Sequence, residues 1–247
     1  KIKEGDYEYV RGLAFKQVDA GADVLDINVG VPGIDEVAVL PEVAKIVSES
    51  VDVPLCLDSA NRDALAAALA VLPGKPLVNS VNGEEKSMEA VLPVVKDYGA
   101  AVIGLTMDND GIPNDAATRV SIAEKIIERA AKLGTAIEDI VIDPLVLTVG
   151  ADSNAAFVTL QTVRFLHKEF GVNINLGASN VSFGLPDRHI INQAFLSLAM
   201  GEGATCAITD PIKLAITIRA NDLLMGRDTY GTRYLRYWRG RQPKESA

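Results

Sequence analysis

Short apolar runs rich in β-branched residues alternate along this chain with stretches of helical spacing, and that alternation restricts the fold more than any single motif. The runs fall at 23–28, 54–58, 76–80, 101–106, 139–143, 173–178 and 205–210. Most are nearly continuous in apolar character, the pattern of parallel strands covered on both faces. Between them, helices are predicted at 64–72, ended by Pro73 and Gly74, and at 116–133. The second has Asp115 as N-cap, Val120, Ala123, Ile127 and Ala130 as an apolar stripe, and Gly134 as its stop. No linker or low-complexity segment interrupts the pattern. Residues 1–247 therefore read as one parallel α/β domain, with a basic tail from about 230.

Seven predicted strands are one short of a (β/α)8 TIM barrel. Residues 6–20 read as a helix ahead of the first strand found, and a helix there implies a strand before it. The expected fold is thus a TIM barrel whose first strand lies upstream of Lys1. A length of 247 residues, 48% of them apolar, suits one barrel. A net charge of −9 and a pI near 4.8 argue against nucleic acid as a partner, because phosphate neutralisation needs surplus Lys and Arg. No apolar stretch approaches the roughly 20 residues that span a bilayer, and residues 1–6 lack the apolar centre of a secretory signal. Cys56 and Cys206 sit in apolar runs without ligand spacing and read as reduced core thiols of a cytoplasmic protein.

In parallel α/β folds ligand chemistry collects at the carboxyl ends of the strands. Here those ends read "LDIN" with Asp26 and Asn28, "CLDS" with Asp58 and Ser59, and "VNSVN" with Asn79. They continue with "GLTMDNDGIP" carrying Thr106 and Asp108, "VIDPL" with Asp143, and "LGASN" with Asn180. Any one of these could cap a helix or close an Asx turn. Asp143 fits that reading least, because Pro144 and an apolar run follow it. Asn61 and Ser59 can cap the helix after Asp58. The convergence of Asp and Asn on one rim suits a flat, neutral, amide-rich ring whose N–H and exocyclic amine donate to a carboxylate, as in guanine or a pterin. No phosphate-binding GxxxxGK[ST] run occurs. The segment from Gly177 to Leu185 carries no charge, as a loop shaped around a neutral ligand would.

The runs "GADVLDINVGVPGIDE", "PLCLDS", "LVNSVNG", "GLTMDNDGIP", "VIDPLVL" and "GASNVSFGLPDR" together resemble the pterin-binding methyltransferases. These enzymes move a methyl group between methyltetrahydrofolate and a corrinoid protein. They include the methyltransferase of the acetyl-CoA pathway, demethylation-pathway enzymes and the pterin-binding module of cobalamin-dependent methionine synthase. The resemblance implies that Asp58, Asn79 and Asp143 hold the pterin ring, and that Asn180 lies near N-5, the methyl-bearing nitrogen. Gly177, Ser179 and Arg188 would line the same wall. It further implies 5-methyltetrahydrofolate or tetrahydrofolate as substrate, a cobalamin-type corrinoid carried by a partner protein, no metal held by the chain itself, and a homodimer. The family's first strand carries a Gly-Glu-Arg-Ile-Asn-like motif that this sequence lacks, in keeping with the upstream strand.

On this reading Asn180 follows the changing protonation of N-5, since one amide can donate to the neutral nitrogen or accept from its protonated form. The sequence shows no corrinoid-binding Asp-x-His-x-x-Gly segment. The alternatives are dihydropteroate synthase and a non-catalytic pterin carrier. The former resembles the chain in "DINVG" but carries Ser-Arg-Lys where this chain has Ser179-Asn180-Val181. His167 and His189 read as helix-surface residues, not metal ligands, and Glu84, Glu85 and Lys86 as a solvated helix start. Residues 230–247, with Arg233, Arg236, Arg239, Arg241 and Lys244 against Glu245, read as a packed terminal helix with a solvated end, or as a contact for an acidic corrinoid partner.

Overall fold

The computed structural model describes residues 1–241. In chain order it holds α1 (Tyr7–Asp19), β1 (Leu25–Asn28), α2 (Glu36–Ser48), β2 (Leu55–Asp58), α3 (Arg62–Leu69), β3 (Leu77–Asn82), α4 (Glu85–Tyr98), β4 (Ala101–Leu105), α5 (Ala116–Lys132), β5 (Ile140–Asp143), α6 (Ala155–Glu169), β6 (Asn173–Ile174), α7 (Arg188–Glu202), α8 (Pro211–Leu224) and α9 (Thr232–Gly240). Local chemistry sets many helix starts. Asp6, Asp35, Asn61, Asp115 and Asp210 each accept a backbone N–H from the first turn, and Pro211 follows Asp210 where a missing N–H costs nothing.

The strands form one parallel sheet in the order β1-β2-β3-β4-β5-β6, each joined to the next across a helix. Leu57, Val78, Val102, Ile142 and Ile174 point outward and are buried against helix residues such as Leu40, Leu65, Leu92, Ile126 and Leu166. On the opposite face Cys56, Ile103 and Val141 form a separate small apolar cluster with Leu77 and Leu105. Strand alternation thus splits one set of apolar residues between the outer layer and the interior. The small inner cluster lies toward the floor, and the polar strand ends follow it in sequence.

Two predicted strands end differently. The run at 173–178 is a two-residue strand followed by a tight turn. Gly177 has φ −69° and ψ 66°, and the Ala178 N–H bonds to the Leu176 carbonyl at 2.8 Å. That inverse γ-turn stops the strand and starts a 3-10 helix over Ala178–Ser182. The run at 205–210 is not a continuous strand. Thr205 and Cys206 donate to the Ile174 carbonyl, Ile208 donates to that of Leu176, and Gly177 and Ile208 form an isolated parallel bridge. It occupies a seventh sheet position beside β6, and Asp210 already caps α8. β1 pairs with β2 and, among the described residues, has no strand on its other side.

Cys206 is exposed, whereas Cys56 is buried as expected; the irregular seventh segment places Cys206 at an open seam instead of inside a ladder. The terminal helix forms, but no residue of α9 is buried. It is tied down by Asp228, which accepts the backbone N–H groups of Arg233 and Tyr234, and by an Arg233–Asp222 ion pair of 3.2 Å. Lys244 and Glu245 lie outside the described residues. Glu85 is an anchored residue and not a merely solvated one: it pairs with Arg129 and Lys125. No helix among the described residues is long and apolar enough to cross a membrane.

Candidate functional site

Parallel register carries the polar strand ends to one rim. Asn28 is the cross-strand partner of Asp58, and Asp58 of Asn79. The Asn28 side-chain oxygen accepts the Gly30 N–H at 2.9 Å, so its Nδ2 is turned toward Asp58 and donates to Oδ2 at 2.8 Å. Asp58 is half-buried. Burial raises its carboxyl above the ordinary range, Asn28 opposes that, and the like charges of Asp26 and Glu36 add to it. Asn79 points its amide at Asp26 across 3.5 Å. Asn61 caps α3, which leaves Asp58 free of capping duty.

Asp143 ends β5 beside Leu105 and is 6% exposed. Its Oδ1 accepts the Leu145 N–H at 2.8 Å and its Oδ2 accepts the Asn175 amide at 2.7 Å. The Asx turn to Leu145 forms across the intervening Pro144, which needs no N–H of its own for that bond, and Leu145 then continues with φ 62°. The carboxylate is therefore satisfied within the chain and closes the Asx turn that Pro144 made least expected. Burial still raises its pKa to about 6, against the opposing Leu145 N–H, Asn175 amide, Gly177 N–H and Arg119 charge. A carboxylate offers about four acceptor positions, so capacity remains for an incoming N–H.

Asn180 lies on the 3-10 turn, exposed, and its amide folds back over Gly177: a Cβ at Gly177 would stand 3.1 Å from Asn180 Nδ2. The Asn180 side chain has no hydrogen-bond partner among the described residues. Ser179 and Arg188 serve the turn itself. Arg188 donates to the Ser179 carbonyl at 2.8 Å and to Ser182 Oγ at 3.1 Å, with its guanidinium 5.7 Å from the Phe183 ring centre. Ser179 Oγ lies 3.5 Å from Thr209 Oγ1. Asp108 closes its own turn with Asp110 and Gly111, the plain reading for that residue. His167 and His189 are exposed on helices.

A cavity of about 530 Å³ is lined by Asp26, Cys56, Ile103, Asn175, Cys206 and Thr209 among others, while Asp58, Asn79, Asp143 and Asn180 do not line it. It follows the seam between β1 and the seventh segment, and meets the rim through Asp26, which faces Asn79, and Asn175, which holds Asp143. The strand-end list named Asn28 but not as the partner of Asp58, and it passed over Asn175, the partner of Asp143. Asn28 was legible as the residue opposite Asp58 in register. Asn175 was legible from the alternation that turns Ile174 outward. Arg119 gave no signal beyond its place in an otherwise apolar stripe.

The fold is thus a parallel α/β barrel with acids and amides gathered at its strand ends, beside an uncharged turn. The chain belongs to the pterin binding enzyme family, whose model matches residues 1–210. It is 32% identical over 245 residues to the methylcorrinoid:tetrahydrofolate methyltransferase of Eubacterium limosum, covering 96% of this chain and 90% of that protein. It is also 32% identical over 222 residues to the methionine synthase of Mycobacterium tuberculosis, 85% of this chain but 19% of that longer protein. Among solved structures, the fold matches a Yersinia pestis dihydropteroate synthase with a TM-score of 0.73 at 18% identity, over 91% and 87% of the two chains.

Proposed function

We propose that the chain transfers a methyl group between the cobalt of a corrinoid carried on a partner protein and N-5 of tetrahydrofolate. One observation carries this reading: Asp58 and Asp143 are each anchored by an amide donor yet keep unused acceptor capacity, and the adjoining turn is uncharged and presents one unpartnered amide, that of Asn180. Acids already oriented by Asn28 and Asn175 can receive the ring N–H and amino group without reorganising. Asn79 complements the ring's carbonyl edge with its amide. The similarity to the Eubacterium limosum protein supports the choice of methyl transfer over other pterin chemistry.

In the folate-demethylating direction, the bond from N-5 to the methyl carbon breaks as a reduced cobalt takes the methyl group, and the electron pair stays on nitrogen, which gains a proton. Asn180 serves that change by donating to the neutral nitrogen or accepting from its protonated form, and Gly177 leaves the amide room to turn. The reverse transfer uses the same contacts. The test is a spectrophotometric assay in which methylcob(III)alamin and tetrahydrofolate are mixed with and without the chain. Loss of the methylcobalamin spectrum with formation of 5-methyltetrahydrofolate, dependent on the protein, is the expected result. Tight tetrahydrofolate binding without any transfer, with free or protein-borne corrinoid, would reduce the chain to a pterin carrier.

A further inference from the structure

Arg119 is among the largest fully buried side chains of the molecule, 1% exposed, and no carboxylate pairs with it at ion-pair distance. Its partners are neutral oxygens. Nε donates to the Pro113 carbonyl at 2.8 Å, and Nη1 donates to the carbonyls of Pro144 at 2.8 Å and Leu145 at 2.9 Å and to Thr159 Oγ1 at 3.4 Å. Burying an unpaired cation is costly, and an apolar side chain of similar volume would fill the space with no such cost. The arrangement therefore calls for a role that only a charged fork can perform.

That role lies one residue from the rim. Leu145 holds φ 62°, a conformation a branched residue adopts only when its surroundings impose it. Its carbonyl is gripped by Arg119 while its N–H reaches Asp143 Oδ1. Pro144, between them, has no N–H of its own, so its carbonyl is the one backbone group it offers, and Arg119 takes that as well. The same fork reaches back to the loop after β4 through Pro113. The Pro144 carbonyl and the Leu145 N–H belong to one peptide plane, so without Arg119 that plane is free to turn and carry the N–H away from the carboxylate.

We propose that Arg119 is the positioning residue for Asp143: a buried clamp that fixes the turn after β5 and so holds the rim carboxylate ready for the ring donors. The inference rests on the pterin reading above for its functional consequence, but its structural core concerns Asp143 alone. Asp143 has one charged neighbour acting on it, Arg119; Arg119 has two, Asp143 and Asp115 at the head of its own helix. The facing groups from α6 and β6's continuation are neutral, Thr159 and Asn175. Arg119 thus also favours the ionised form of Asp143.

The experiment uses two variants of the full chain, Arg119→Gln, which keeps a donor but drops the charge, and Arg119→Lys, which keeps the charge but not the fork. Asp143 is titrated by carboxyl 13C NMR in the ligand-free protein, its resonance identified by its loss in Asp143→Asn, and tetrahydrofolate affinity is measured by calorimetry. Arg119→Gln is expected to raise the Asp143 midpoint. Both variants should weaken tetrahydrofolate about tenfold, as misplacing one charge-assisted hydrogen bond does, with the saturated transfer rate little changed. An unmoved midpoint in folded Arg119→Gln overturns the proposal. If that variant does not fold, Arg119→Lys decides: wild-type affinity overturns the clamp, and weakened affinity with an unchanged saturated rate supports it. A moved midpoint in a wild-type background that binds no tetrahydrofolate supports the Arg119–Asp143 linkage and overturns the functional reading instead.

Discussion

At the scale of single residues, the proposed function gives Asp143 the ring edge and Asn180 the N-5 contact, and their environments predict different failures. The Asp143 pKa of about 6 lies above the ordinary carboxylate range, so the folded chain holds a proton that the unfolded chain has already lost. Its contribution to stability is therefore full below the ordinary carboxylate pKa and is lost as pH rises through about 6. Ligand binding runs the other way, because ring N–H groups need the ionised acceptor. Tetrahydrofolate affinity should be level above about pH 6 and weaken by up to about tenfold per unit below it, as linkage to one proton requires. Calorimetric titrations across that range check this, and Asp143→Asn should flatten the dependence while weakening binding at neutral pH. A level affinity down to about pH 5 in the unaltered chain removes Asp143 from the ring contact. Asn180 is exposed and unpartnered, so its removal leaves the ring edge held by Asp58, Asn79 and Asp143. Asn180→Ala should lower the single-turnover transfer rate by on the order of a hundredfold while affinity falls modestly, since the N-5 contact strengthens as that nitrogen becomes basic. A near-normal saturated rate with much weaker binding would make Asn180 an anchor only.

At the scale of elements, the site depends on how closely the helices behind it approach one another. α7 begins at Arg188, next to the Asn180 turn, and ends at Gly203 with φ 119°. A Cβ at Gly203 would fall 2.5 Å from His167 Cγ and 2.7 Å from its Cβ, atoms close to the α6 backbone that cannot swing aside. Both the left-handed conformation and the close approach require glycine there. Gly203→Ala should destabilise the protein by about 1–3 kcal/mol in urea unfolding. Gly201→Ala, where a Cβ in the last turn of α7 meets nothing within 4 Å, should be neutral or stabilising by up to about 1 kcal/mol. Equal stability of the two variants would mean that α6 and α7 are not held together at this contact. The result also explains His167: an exposed imidazole whose stem, not its ring nitrogens, has the structural part.

At the scale of the whole molecule, the sheet is strongest in its middle. β3 and β4 pair over several residues with strands on both sides, whereas among the described residues 205–208 makes scattered backbone bonds to β6 and its continuation. Native-state hydrogen exchange should therefore find the slowest amides in β3 and β4, and faster exchange across 205–208, where opening breaks fewer pairings. Protection across 205–208 equal to that of β3 would contradict the irregular pairing of this segment.

Much of this was legible in the chain itself, because periodicity and capping are local properties. Parallel strands advertise themselves as continuous apolar runs, and Asp115 before Ala116 or Asn61 before Arg62 marks a helix start whatever surrounds it. Since every parallel strand ends at the same edge, the list of terminal acids and amides located the rim before any coordinate did. What the sequence could not decide was pairing at a distance. That Asn28 holds Asp58, that Asn175 and the Leu145 N–H hold Asp143, and that Cys206 faces a seam depend on register and on turns at Gly177 and Leu145 whose shapes are imposed from outside. Arg119 is the clearest case. A charged residue in a helix stripe reads as solvated, and only the packing of α5 against the loops after β4 and β5 turned it inward, because four oxygens from three other segments converge where its side chain ends.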